Sequence, residues 1–268
     1  MPRIPVIRRA AGRCAALAFL AWAPHALALA PDADGDGIPD AIEAAEGRNP
    51  AVKDNDIFAD ASLFVRQQYR DMLRREGDAG GVEYWAGQVR AGSVARETLI
   101  YNMLHAPETL GRLAPVMRLY LAYFRRAPDR DGLDYWADQR SAGRTLAEIS
   151  QQFAGSQEFA ITYGSTTDRE FVQLVYRNVL ERQPDAAGFT HWLGELASGR
   201  QTRGTLMAVF SESAEYAAKT SAQVRVALLY IAMMGRSPDP DGFAYWSSRL
   251  STGASDLSLV QAFYNSIE

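Results

Sequence analysis

One motif recurs four times along the chain and constrains the fold more than anything else in it. Tryptophans stand at Trp85, Trp136, Trp192 and Trp246, separated by 51, 56 and 54 residues. Around them the same residues keep the same places. They are Tyr69, Tyr120, Tyr176 and Tyr230; Arg75, Arg126, Arg182 and Arg236; and Asp78, Asp129, Asp185 and Asp239. One glycine precedes each Trp by four residues (Gly81, Gly132, Gly188, Gly242) and another follows it by seven (Gly92, Gly143, Gly199, Gly253). The pattern Y-x5-R-x2-D-x2-G-x3-W-x6-G is met four times without exception, so the chain builds one small unit four times.

Each unit reads as three helices. Val116, Leu119, Tyr120, Tyr123 and Phe124 fall on one helical stripe; so do Val172, Val175, Tyr176, Val179 and Leu180, and Val226, Leu229, Tyr230, Met233 and Met234. A breaker follows at Pro128, Pro184 or Pro238, with Gly77 in the first copy. The recurring Asp is placed to cap the second helix, and the second recurring Gly suits a left-handed residue at its end. A third helix follows, with Thr145 and Glu148 spaced as a capping box. It extends to Ser156-x-Glu158 and to the counterparts at Ser213, Ser266 and Ala106. No segment alternates as a strand does, so the expectation is an all-α protein. The expected boundaries are 59–112, 113–167, 168–220 and 221–268 for the copies, preceded by an irregular acidic segment at 29–58 and an export signal at 1–28.

Phe64-Val65, Tyr69, Arg75, Asp78, Gly81 and Tyr84-Trp85, with their repeats, resemble a bacterial family called domain of unknown function 4214, over residues 60–268. The resemblance implies small helical modules, often in tandem, in secreted or surface-associated proteins beside calcium-binding repeats. It brings no activity and no catalytic residue. The first copy departs with Glu76-Gly77, and the third has His191 where the others have Tyr84, Tyr135 and Tyr245. A residue required by every copy is a residue needed to build it, so the signature positions are read as structural. The competing reading is a shallow sugar-binding pocket of Trp, Tyr and Arg.

The first residues read as a secretory signal. Arg3, Arg8, Arg9 and Arg13 precede an apolar run from Cys14 to Ala23, then Ala26-Leu27-Ala28. That run is near ten residues, about half of what spans a bilayer. Cleavage is expected after Ala28, because a cut after Ala30 would leave Pro31 first. Arg13 before Cys14 argues against a lipid anchor, and the Ala-Ala-Gly after Arg8-Arg9 favours general over twin-arginine export. Cys14 is the only cysteine, so the mature chain is expected to hold no disulfide and no thiolate metal site. A secreted protein, extracellular or periplasmic and without a membrane span after cleavage, is the expectation.

Charge is concentrated just beyond the signal. Asp32, Asp34, Asp36, Asp40, Glu43, Glu46, Asp54, Asp56 and Asp60 face only Arg48 and Lys53, while the chain as a whole is at −4, which argues against a nucleic-acid partner. Asp32 to Glu43 fits D-x-D-x-D-G-x5-E, the spacing that brings carboxylates around one calcium ion. Asp40 falls where a ligand acts through water. A complete EF-hand is not expected, since no incoming helix precedes Asp32 and Pro39 lacks an N–H. The stretch from Asp32 to Asp56 is similar to thrombospondin type 3 calcium repeats, a likeness that adds Asp54 and Asp56, in the same site or a second one.

Motifs for nucleotide, serine or zinc-peptidase chemistry are missing from the sequence. A mature chain retains His105 and His191 only. The expectation is a non-catalytic, calcium-binding module or scaffold whose partner is a surface polysaccharide or envelope protein, four weak sites gaining avidity by linkage. The alternative is a hydrolase acting on cell-wall or extracellular polysaccharide through two carboxylates, with Asp131 and Asp134 beside Trp136 as the pair.

Overall fold

The computed structural model describes residues 31–267. The export signal expected at 1–28 lies outside the described residues. Among these there are fourteen α-helices and no strand, as the repeat pattern requires. None of the described helices is long and apolar enough to cross a membrane.

A short helix α1 (Asp40–Ala45) precedes the repeats, so the acidic segment is less irregular than expected. The first copy then comprises α2 (Ala61–Leu73), α3 (Ala79–Arg90) and α4 (Arg96–Leu104). The second is α5 (Pro107–Phe124), α6 (Arg130–Ser141) and α7 (Leu146–Ala154), followed by a short α8 (Gln157–Tyr163). The third is α9 (Asp168–Val175), which passes into a π-turn at Tyr176–Leu180, then α10 (Ala186–Ala197) and α11 (Arg203–Ser211). The fourth is α12 (Ala214–Met234), α13 (Pro240–Ser251) and α14 (Asp256–Ile267).

The signature residues make the same interior in each copy. The recurring Asp side chain accepts the N–H of the recurring Gly at 2.7–2.8 Å, capping the second helix. Above that glycine stands the recurring Tyr, its hydroxyl so near that a Cβ would meet it at 2.5 Å in Gly188 and 2.8 Å in Gly132. The recurring Arg lies over the Tyr ring at 5.0–5.3 Å and donates to the carbonyl of the next residue at 3.0–3.4 Å. It therefore closes the turn and covers the ring in one placement. Each Trp is half-buried, and three lie 5.2–5.7 Å from a Phe of the third helix: Phe153, Phe210 and Phe263. Met103 holds the corresponding place in α4 and is buried.

The ends of the third helices differ from the expectation. They stop at Leu104, Ala154 and Ser211, and Ala106, Ser156 and Ser213 begin the next helix instead. The Ser156 and Ser213 hydroxyls accept N–H groups three residues on, at 3.1 and 3.2 Å. Glu108 and Glu158 then reach back, each taking both N–H groups of a recurring Arg, Arg75 and Arg126. The boundaries at 112/113 and 220/221 fall inside α5 and α12, which run without interruption from one copy into the next. Only between the second and third copies does Gly164, at φ 69°, break the connection.

The copies do not simply stack in order. The third helices pair crosswise, α7 with α11 and α4 with α14, and α12 packs on both α2 and α5. Gly204 of α11 lies directly on the Gln151 backbone of α7, leaving no room for a side chain, and its N–H donates to Gln151 Oε1 at 2.9 Å. His105 of the first copy meets Asp256 of the fourth at 2.9 Å, and Arg225 holds the other oxygen of the same carboxylate at 2.7 Å.

Candidate cation site

The acidic loop is wound by its own aspartates. Asp32 accepts the Gly35 and Gly37 N–H groups at 2.8 and 3.1 Å, Asp34 that of Asp36 at 3.0 Å, and Asp36 that of Ile38 at 2.9 Å. These local bonds turn the chain at every second residue and bring the three carboxylates to one side. Ile38 is fully buried and anchors the loop, and Pro39 starts α1. One turn on, Glu43 faces inward and is 0% exposed.

Two overlapping groups of carboxylate oxygens result. Asp32, Asp34 and Asp36 form one, and Asp36, Glu43 and Asp54 the other, with the oxygens of each group within 4.8 Å of one another. Neither oxygen of the Glu43 carboxylate has a hydrogen-bond partner, and Asp34 Oδ2 is likewise buried and alone. Burial raises the Glu43 carboxyl above its usual range; Asp34, Asp36 and Asp54 add to this, while Arg48 opposes it. A buried carboxylate with no donor is costly, and several together are worse. A hard divalent cation relieves both costs at once, and an all-oxygen set suits calcium. Asp32, Asp34, Asp36, Glu43 and Asp54 fit such an ion.

Asp40 and Asp56 stand outside both groups. Asp40 Oδ1 accepts the Ala33 N–H at 2.7 Å, and Asp56 Oδ1 accepts from Phe58 and Ala59 at 3.2 and 3.0 Å. One oxygen of each is thus held by the backbone. Asp54 reaches the site from the linker and is also paired with Arg48.

Sequence reasoning missed two polar residues that seat the site on the first copy. Asp36 Oδ2 accepts the backbone N–H of Asp54 and Asn55 at 3.1 and 3.0 Å. The Asn55 side-chain amide donates to the Asp36 carbonyl at 3.1 Å and to Gln67 Oε1 of α2 at 2.8 Å. Gln67 is a polar residue on the buried stripe of α2, between Phe64 and Met72, and that misplacement was the available signal.

Beside Trp136, Asp134 is tied to Arg74 at 2.9 Å and Arg130 at 3.6 Å, while Asp131 is exposed. His105 is engaged with the Tyr101 carbonyl and Asp256, and His191 lies against Trp192 at 5.0 Å. On the outer face, Tyr84, Tyr135 and Tyr245 stand edge-on to their tryptophans at 4.7–5.1 Å.

The family profile described as Domain of unknown function (DUF4214) matches residues 57–113, 116–160, 150–220 and 216–268. The chain belongs to this family. The four DUF4214 matches cover all four repeats, and the acidic loop from Asp32 to Asn55 precedes the first. No curated protein and no solved structure matches the chain.

Proposed function

We propose that this is an exported calcium-binding protein whose four DUF4214 copies act as a non-catalytic binding or scaffold module at the cell surface or in an extracellular matrix. The observation that carries the reading is Glu43, a fully buried carboxylate without a partner, turned toward Asp36 and Asp54. Such a group is balanced by a cation held among the same oxygens. The outward Tyr–Trp pairs, with Tyr84 60% and Tyr245 42% exposed, offer flat aromatic faces of the kind that stack on sugar rings. They favour a surface polysaccharide as the partner, with an envelope protein as the other class. The ion pairs of Asp134 argue for a structural rather than hydrolytic role there.

Calorimetric titration of secreted protein tests this. The material should begin near Leu29, and calcium should bind with a dissociation constant of about 10⁻⁴–10⁻³ M, sufficient where extracellular calcium is plentiful. Magnesium, with its tighter octahedral demand, should replace it poorly. An Asp34→Ala/Asp36→Ala variant that gives the same calcium heat would refute the site. A polypeptide that still carries Met1 would refute export.

A further inference from the structure

The site is connected to the junction between the first two copies. From Asp36 the chain of contacts runs to the Asn55 amide, which donates to Gln67 Oε1 at 2.8 Å. Gln67 Nε2 donates in turn to Asp71 Oδ2 at 2.8 Å. Asp71 Oδ1 meets Arg130 Nη2, at the start of α6 in the second copy, at 3.4 Å. Arg130 shares Asp134 with Arg74 of the first copy, whose side chain is only 7% exposed. Every link is buried or half-buried, so these bonds are shielded from competition by water.

The relay has a direction. An amide donates only through its nitrogen, so Gln67 can serve a donor at Asn55 and a carboxylate at Asp71 in one orientation alone. Turned over, it would set nitrogen against nitrogen at one end and oxygen against carboxylate at the other. Asn55 is fixed for this role by Asp36, whose own position is opposed by the repulsion of Glu43 and Asp54 when no cation lies among them.

We propose that cation binding tightens the junction between the first and second copies through Asn55, Gln67 and Asp71. The proposal rests on the calcium reading above, and adds to it a coupling between the loop and α6. A string of contacts becomes a coupling only where an element has two arrangements that both ends bias, and the Gln67 amide is that element. The ion draws Asp36, Glu43 and Asp54 together, holds Asn55, and so selects the orientation of Gln67 that leaves Asp71 turned to Arg130.

Hydrogen exchange on the full mature chain, with calcium and with chelator, tests it beside calorimetry on the same samples. Calcium should slow exchange of α6 amides beyond its first turn by about 5-fold or more, the low end of ordinary coupling between sites. Asp71→Ala, which cuts the relay on the far side of Gln67, should bind calcium and keep the slowing within residues 32–55, but lose it in α6. Arg130→Gln, which cuts the relay at a half-buried position in the second copy, should give the same pattern should Asp71→Ala fold poorly. Exchange in α6 that ignores calcium, in a chain whose calorimetry shows binding, would overturn the coupling and leave the site standing. Transmission that survives both substitutions would overturn the route. Calcium heats that are missing altogether would overturn the site and the coupling together.

Discussion

Two glycines of the same helix, α10, should respond to alanine with opposite signs. Gly188 lies beneath the Tyr176 hydroxyl: a Cβ there would stand 2.5 Å from the hydroxyl oxygen and 3.1 Å from Asp185 Oδ2. The ring cannot retreat. Tyr176 is buried, lies 5.3 Å from Phe210 and is covered by Arg182 at 5.2 Å. Forcing a methyl group into such a place costs about 1–3 kcal/mol. Helix propensity returns no more than about 1 kcal/mol. Gly188→Ala should therefore destabilise the protein by up to about 2 kcal/mol on those terms. Gly194, two turns nearer the C-terminus, has nothing within 4 Å of its added Cβ, so Gly194→Ala should stabilise by about 0.4–1 kcal/mol. Urea midpoints at constant slope measure both. In a Tyr176→Phe background the obstructing oxygen is gone, and the penalty of Gly188→Ala should shrink or reverse. Gly188→Ala that proves neutral or stabilising in the native background would show that the recurring glycine is not there to admit the tyrosine.

Two further outcomes follow from the same interior. Trp136→Ala removes a half-buried indole that meets Phe153 edge-on at 5.2 Å, and should cost about 3 kcal/mol, the lower end for a large aromatic; an unchanged thermal melt would discard its structural role. The Gly188 and Gly242 N–H groups hold the Asp185 and Asp239 carboxyls below the usual carboxylate range. Because their native values lie below the unfolded ones, their stabilisation is complete above the ordinary Asp value of about 3.9 and is lost as pH falls through the depressed native values. Asp185→Asn, which can still cap the helix, should flatten the acid limb of stability against pH, and an unaltered acid limb would count against this origin.

Much of the unit was legible because its residues act on near neighbours. The Tyr, Asp, Gly and Trp of each copy lie within a few turns of one another, so spacing alone places the Asp cap and the left-handed Gly92, Gly143, Gly199 and Gly253. Thr145 and Glu148 likewise make their capping box over three residues. What spacing missed is decided at a distance. Ser156 and Ser213 look alike whether they end one helix or begin the next, and only the N–H groups that they receive decide it. The π-turn at Tyr176–Leu180 has no local marker. In the acidic loop the ligand spacing was plain, but Asp54 joins the carboxylates from outside that spacing, and the seat on α2 is made by Asn55 and Gln67. Asp40 and Asp56 fit the ligand pattern too, yet one oxygen of each accepts backbone N–H groups and both stand outside the two carboxylate groups.

The clasp between His105 and Asp256 joins residues 151 apart, and α4 lies against α14 across the same interval. At about 5–20 residues per second, a chain under synthesis needs roughly 8–30 s to go from one to the other. For that time α4 is without the helix that covers it, whereas α7 waits only for α11 of the adjoining copy. The oldest part of the nascent polypeptide is thus the last to be completed. A delay of that kind invites a holdase, and it makes the inner pair of copies the natural nucleus on which the outer pair closes.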